Sequence, residues 1–414
     1  MAGQGRTARG PHGGARRRAA VLWLAALLLA PACSAPAHAP DAATGAVRAT
    51  LDRWAAAVLD RDERAYLAAV DPSATALRGT ARAEFENLAE VPLGSWGYRI
   101  TDVERTGGRA TVRAELRYRL DGYDGAPVSA PRLLELGERA GRWYVTGDRP
   151  DRGAAQQLWE QGAVRAVRGA RGLVLGVGQS DGRLRGIADS ADLAVPAVDD
   201  AWPGPWSRRV VVLVPGSLEA MGGLLGASAA GYRGIAAVTT GETGGAGASP
   251  ADRVIVNPDA YGELGDFGRR IVLTHETTHV ATRAATSAAT PTWLSEGFAD
   301  WVAYRGTDRP AGRIAPELQL AVRRGEPPAA LPPDEDFAFG GDAGRLARAY
   351  EGGWLACELI AADWGEKRLA DFYRAVGAHG GRDGAVEEAM NDVLSTTPDD
   401  FTARWRVYLR ERLA

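Results

Sequence analysis

Gly268 to His279 reads GRRIVLTHETTH, and its last five residues, His275-Glu276-Thr277-Thr278-His279, place two of the chain's five histidines four residues apart. The stretch reads as a helix. On a helix, residues four apart leave from one face, so His275 and His279 can aim imidazole nitrogens at one point in space. A zinc ion is the expected occupant of that point. Glu276, next to the first histidine, is placed to take a proton from a water on the metal as general base. These residues suggest metal-assisted hydrolysis. H-E-x-x-H also occurs by chance on amphipathic helices that bind nothing, so the segment that follows has to be read with it.

That segment, after a polar Ala/Thr/Ser run, is Thr290-Pro291-Thr292-Trp293-Leu294-Ser295-Glu296-Gly297-Phe298-Ala299-Asp300-Trp301. Thr290 before Pro291 predicts a second helix, with a capping hydroxyl ahead of a proline at the first helical position. On it Glu296 and Asp300 are again four apart, which suits a carboxylate ligand and a carboxylate that orients a ligating histidine. A further histidine does not follow until His379, and Cys357 lies far along the chain. Asp300 stands as the rival to Glu296 for the third ligand position.

With HETTH and WLSEGFADW together, the sequence resembles the gluzincin metallopeptidases, and within them the bacterial peptidase MA-like proteins. The resemblance covers residues 250 to about 305. It implies zinc held by His275, His279 and Glu296, Glu276 as the base, and Asp300 orienting His275. The gap between His279 and Glu296 is somewhat shorter than in the best-known gluzincins. The implied fold is a small mixed sheet, two metal helices over about 266–305, and a helical subdomain over about 343–414, within a catalytic domain spanning 149–414.

The flanking residues fit that layout. Arg208–Val214, Gly234–Thr240 and Asp252–Asn257 are short β-branched runs bounded by Gly, Pro or Ser, and predict three strands ahead of the metal helix. The last resembles the edge strand that pairs with extended peptide in this family; its other reading is an ordinary sheet strand. Residues 241–250 read as a turn. Downstream, Arg345–Trp364, Lys367–Val376, Val386–Leu394 and Phe401–Leu413 carry apolar residues at helical spacing. Tyr350 near the start of the first matches in position tyrosines that stabilise an oxyanion in related enzymes, a task needing a donor about 3 Å from the developing charge. The alternative is a core tyrosine packed against Trp354.

The N-terminal third reads as a separate α+β unit over 45–148. TGAVRATLDRWAAAVLDRD and DERAYLAAV predict helices, a third short helix follows, and then come strand-like runs at Trp96–Glu104, Arg109–Leu120, Val128–Glu138 and Arg142–Thr146. Element order resembles the cone-shaped nuclear transport factor 2-like fold, without a diagnostic motif. Asp148–Arg152 (DRPDR) reads as a linker. The 414-residue length suits such a division at roughly 100 to 200 residues per domain.

Residues 1–33 read as a signal peptide: Arg16-Arg17-Arg18 precede AAVLWLAALLLA, too short an apolar run to span a bilayer. The chain is thus expected outside the cytoplasm. The run ends at Ala30-Pro31-Ala32-Cys33-Ser34, which resembles a lipobox with Cys33 as the lipidated residue, although Ala30 and Pro31 depart from the pattern. Residues 34–44 then form a Pro/Ala tether to the membrane. A cut after Ala37-His38-Ala39 would instead release a soluble protein. With only Cys33 and Cys357 there is no disulfide framework, and without the five leader arginines the formal charge falls from −3 to −8, which disfavours nucleic acid as a partner.

The expectation is an exported zinc peptidase acting on peptide or protein substrates. The competing classes are a catalytically silent module that binds peptides or envelope partners, and a ligand-binding protein whose main function lies in the N-terminal unit. The anchor has a direct test: Cys33→Ser should move the protein from the membrane fraction to the medium. Unchanged fractionation with no lipid mass on the mature N-terminus would leave the soluble secreted form.

Overall fold

The computed structural model describes residues 42–240, 252–338 and 341–414. The leader with Cys33, residues 34–41 of the tether and the turn at 241–250 lie outside the described residues. The architecture is mixed α+β, with two sheets and many helices.

Three helices open it: α1 (Ala42–Leu59), α2 (Glu63–Ala68) and α3 (Thr75–Asn87), so the last residues of the expected tether are already helical. Asp62 starts α2 by accepting the backbone N–H of Ala65 at 2.9 Å. An antiparallel meander follows, made of β1 (Leu93–Thr106), β2 (Arg109–Leu120), β3 (Val128–Arg139) and β4 (Arg142–Pro150). In β2 every second residue from Ala110 to Leu120 is buried, the period-two pattern of a strand with one face on a core. Ala140 and Gly141 join β3 to β4 with φ of 49° and 77°, the two left-handed residues a tight hairpin requires.

Asp148, expected to begin a linker, belongs to β4. It sits opposite Leu134 in the ladder and accepts from Nε and Nη2 of Arg132 at 2.8 and 2.7 Å, while Arg132 also pairs with Glu160. A buried arginine needs acidic partners from wherever the fold supplies them.

The second sheet has five strands where three were expected. They are β5 (Val164–Arg168), β6 (Gly172–Val177), β7 (Val210–Val214), β8 (Ala237–Thr240) and β9 (Arg253–Val256), in the order β5-β6-β7-β9-β8. Helix α4 (Asp181–Ala201) crosses from β6 to the parallel β7, and α5 (Leu218–Leu225) follows β7. Both faces of this sheet are covered. Leu173, Leu175, Val211 and Ile255 join the core of the N-terminal meander, whereas Val174, Val210, Val212 and Val254 pack with α4 on the other side. Strands buried on both faces read as unbroken apolar runs, as VVVLV and GLVLGV do. Of the two readings of Asp252–Asn257, the ordinary sheet strand is the one found: β9 pairs with β7 in parallel and with β8 antiparallel, so on that side β8 is the outer strand among the described residues.

Asn257 then caps α6 (Pro258–Glu263), followed by α7 (Asp266–Thr282) and α8 (Thr292–Tyr304), α9 (Ala311–Ile314) and α10 (Pro316–Arg323). The C-terminal part comprises α11 (Ala343–Trp364), α12 (Glu366–Ala378), α13 (Ala385–Ala389), a π-helical turn at Met390–Leu394, and α14 (Pro398–Leu413). These share a third core with Trp202, Phe298, Tyr373 and Trp405 at its centre. Among the described residues no helix is long and apolar enough to cross a membrane.

One buried ion pair fastens the N-terminal meander to the second sheet. Arg253 of β9 donates through both terminal nitrogens to Asp124 of the β2–β3 connection, at 2.7 and 2.8 Å, with side-chain exposures of 7% and 1%. Asp124 also accepts the N–H of Leu120 at 2.7 Å. Deleting one partner of such a pair leaves a buried charge unmatched, typically at 3–5 kcal/mol. Asp124→Ala is therefore expected to lower unfolding stability by about that amount, measured by urea denaturation; a change below about 1 kcal/mol would show that the pair is not a brace.

Candidate metal centre

The helix that carries the centre is polar where it is buried. Thr278 and Thr282 satisfy their hydroxyls by donating to the carbonyls of Thr274 and Thr278, at 2.8 and 3.0 Å. That leaves His275 and His279 to leave α7 on one side, as their spacing requires, with ring centroids 4.8 Å apart.

Helix α8 brings the acidic partners. Its start differs from expectation. Pro291 precedes the helix, Thr290 accepts from the backbone N–H of Ser287, and the free N–H of Thr292 donates to Asp334 at 2.9 Å, a side chain 42 residues away. A loop carboxylate thus satisfies the end that the local hydroxyl does not. Farther along, α8 presses against α11 through glycines. A Cβ on Gly297 would lie 2.2 Å from the carbonyl oxygen of Gly353, and one on Gly353 2.6 Å from that of Trp293. Only hydrogens fit at this crossing, which holds the residue beside Glu296 close to α11.

His275 sits between the two acids of α8. Its Nδ1 lies 2.7 Å from Asp300 Oδ1 and its Nε2 3.1 Å from Glu296 Oε2. Asp300 is therefore on the outer side of the ring, and Glu296 is the carboxylate that faces both histidines. His279 Nε2 is 3.1 Å from His275 Nε2 and 3.4 Å from Glu296 Oε2. His275, His279 and Glu296 each offer an atom to one point.

This triangle has a chemical meaning. With its Nδ1 proton given to Asp300, His275 presents a lone pair at Nε2. That nitrogen faces a carboxylate oxygen and a second imidazole nitrogen, so three potential ligand atoms converge on one point, where a shared proton or a cation relieves their repulsion. A proton does this in part. Burial pulls the His275 pKa down, but Asp300 and Glu296 outweigh burial and hold it well above the ordinary histidine range. Burial pushes Glu296 up, and His279 and His275 more than reverse that, leaving it well below the carboxylate range. A divalent cation does it more completely. A tetrahedral zinc bound at about 2.0–2.1 Å spaces its ligand atoms roughly 3.3 Å apart, which the observed 3.1, 3.1 and 3.4 Å sides match. The donor set and its spacing fit zinc.

Glu276 lies beside this triangle without joining it. Its buried carboxylate accepts from Thr239 Oγ1 at 2.6 Å, and the same hydroxyl lies 3.1 Å from the Glu276 carbonyl. Thr239, from β8, was not singled out in the sequence; a threonine in a β-branched run carries no local sign that its hydroxyl will meet a residue 37 positions on.

Tyr350 also faces the centre, with its ring 6.4 Å from that of His275 and 5.2 Å from Phe337. Trp354 packs on Tyr304 at 5.8 Å, and Tyr350 itself packs against the C-terminal core that contains Trp354. Burial pushes the Tyr350 pKa up, and Glu296, Asp300 and Glu276 push it further, so the phenol stays protonated and able to donate. These groups line a cleft of about 650 Å³ between β8, α7, α8 and α11, whose walls are apolar at Ile235, Val238, Ile271 and Leu346. A cavity of about 920 Å³ between α4, α6 and the start of α7 contains none of them.

No family model matches the chain, and no curated protein does. Among solved structures, a SEC-C motif containing protein from Rhodopseudomonas palustris matches with 24% identity, over 23% of this chain and 70% of that one, at a TM-score of 0.19. A mutant of a two-domain M1 zinc metallopeptidase, bound to L-arginine, matches with 15% identity over 67% of this chain, at a TM-score of 0.32. This chain spans 59% of that metallopeptidase. Similarity this slight carries no argument, so the centre stands on its own residues.

Asp300 touches the triangle through the His275 ring. Asp300→Asn keeps the shape but not the charge that fixes the Nδ1 proton, and is expected to weaken zinc affinity about 10- to 100-fold in a chelator competition. Unchanged affinity would mean that Asp300 does not orient the ring.

Proposed function

We propose that this chain is an extracytoplasmic zinc-dependent peptidase of the gluzincin kind, acting on peptide or protein substrates and held to the membrane by a lipid on Cys33. The observation that carries the catalytic part is the triangle of three converging potential ligand atoms with a buried carboxylate beside it, opening on a partly apolar cleft. The N-terminal unit serves in this reading as scaffold.

A bound zinc would be held by His275, His279 and Glu296, and would supply Lewis-acid polarisation of a carbonyl and a water acidic enough to react near neutral pH. The remaining work belongs to side chains. Glu276 takes the proton of the attacking water and passes it to the leaving nitrogen; Thr239 fixes the carboxylate in place for that transfer. Tyr350, kept protonated, donates a hydrogen bond to the oxygen on which negative charge develops. Asp300 sets the His275 ring. The outer edge of β8 offers main-chain groups with which an extended peptide could pair, its residues 237–239 lining the cleft.

Because Glu276 is outside the triangle, binding and chemistry separate. Glu276→Gln should keep stoichiometric zinc and lose about 10² to 10⁴ in rate, the usual worth of a general base. The measurement is a peptide-library digest with zinc-loaded protein. Cleavage by Glu276→Gln at the wild-type rate would overturn the mechanism, and no cleavage by wild type would turn the reading to a peptide-binding module.

A further inference from the structure

Three charged side chains of the cleft wall, Glu276, Glu296 and Asp300, are acidic; among the described residues one arginine, Arg283, joins them. It continues a stripe. His275, His279 and Arg283 are spaced by four, and Arg283 closes α7 as its C-cap residue, so all three lie on the same side of the helix. At 1.5 Å per residue, four residues put Arg283 about 6 Å along the axis from His279, roughly the length of two residues of extended peptide.

Its side chain is held, not loose. It is 10% exposed, and Asp252, 1% exposed, accepts from its Nε at 3.2 and 3.3 Å. A guanidinium has five N–H donors in a rigid fork. Among the described residues its hydrogen bonds go to Asp252 and are made by Nε, so the brace fixes the plane of the fork without engaging its two terminal nitrogens. Those nitrogens match a carboxylate in bidentate geometry. In a cleft whose other charged side chains, the histidines of the centre aside, are acidic, such a group gives an anionic ligand a point of recognition apart from the metal centre.

We propose that Arg283 is a specificity-determining residue that binds a substrate carboxylate one or two residues from the scissile bond. The inference rests on the peptidase reading for the meaning of scissile, but the binding it describes does not need turnover. The carboxylate has two sources, an aspartate or glutamate side chain, or the free C-terminus of a peptide cut close to its end.

The test uses the full mature chain, zinc-loaded, in the Glu276→Gln background so that peptides survive. Four fluorescent pentapeptides of one sequence are compared, with Glu or Gln next to the central residue and a free or amidated C-terminus. Anisotropy should show at least one carboxylate form binding about tenfold or more tighter than its neutral partner, a difference of about 1.4 kcal/mol. The pair that differs identifies the source. Arg283→Gln should erase that difference while zinc content stays stoichiometric, and Arg283→Lys should keep part of it, since a point charge remains but the fork does not. Asp252→Asn with Arg283→Gln removes both buried charges together and keeps the test valid if the single variant is unstable. Equal binding of acidic and neutral peptides, or a preference that survives in the neutralised pair, overturns the assignment. A carboxylate preference in a protein that cleaves nothing would retain Arg283 and remove the peptidase reading; cleavage without preference would do the reverse.

Discussion

Three ligand-type atoms converging on one point repel one another unless a proton or a cation is shared among them, and the elements around the centre are placed by what that convergence requires. His275 Nε2, His279 Nε2 and Glu296 Oε2 approach to 3.1–3.4 Å. The two histidines come from one helix and need only its pitch. The glutamate comes from another, and its position depends on how close that helix can be held. Gly297 against Gly353 sets the distance, and Asp334, reaching the first turn of α8 from a distant loop, fixes where the helix begins.

A second chain of contacts runs from the N-terminal meander to the carboxylate proposed as the base. Asp124 grips Arg253 on β9; β9 pairs with β8; Thr239 on β8 donates to Glu276. The meander and the second sheet bury their apolar faces in one continuous core, with Trp96, Tyr118 and Trp159 packed at ring distances of 5.0–6.0 Å near the junction. The N-terminal unit is thereby tied, through β9 and β8, to the strand beside the cleft. Its own buried charges, Arg132 with Asp148 and Glu160, pair among themselves.

The N-terminal helices, the two metal helices and the C-terminal helices were legible from apolar residues at helical spacing, and β2 from its alternation, since those periods follow from backbone geometry alone, whereas α4, although its buried residues from Leu184 to Val198 recur at that spacing, went unread. The strands of the second sheet were harder. Short apolar runs covered on both faces show no alternation, so β5 and β6 went unread, and the run that became β9 could be read equally as an edge strand or as an ordinary sheet strand. Strand order is a matter of which runs meet, and no single run contains it. The same holds for Asp148, which has the composition of a linker and the environment of a core.

By itself the sequence determined the chemistry on offer: two histidines four apart with a glutamate between them, and two carboxylates four apart a short loop later, because helical pitch converts spacing into a shared face. The tertiary structure alone decided which carboxylate faces the lone pairs and which faces the ring's far nitrogen, since that depends on the height at which α8 crosses α7. It alone gave Glu276 its partner in Thr239 and placed Arg283 at the end of the cleft beside Asp252, because contacts between residues 31 and 37 positions apart arise from packing and leave no mark on either residue's neighbours.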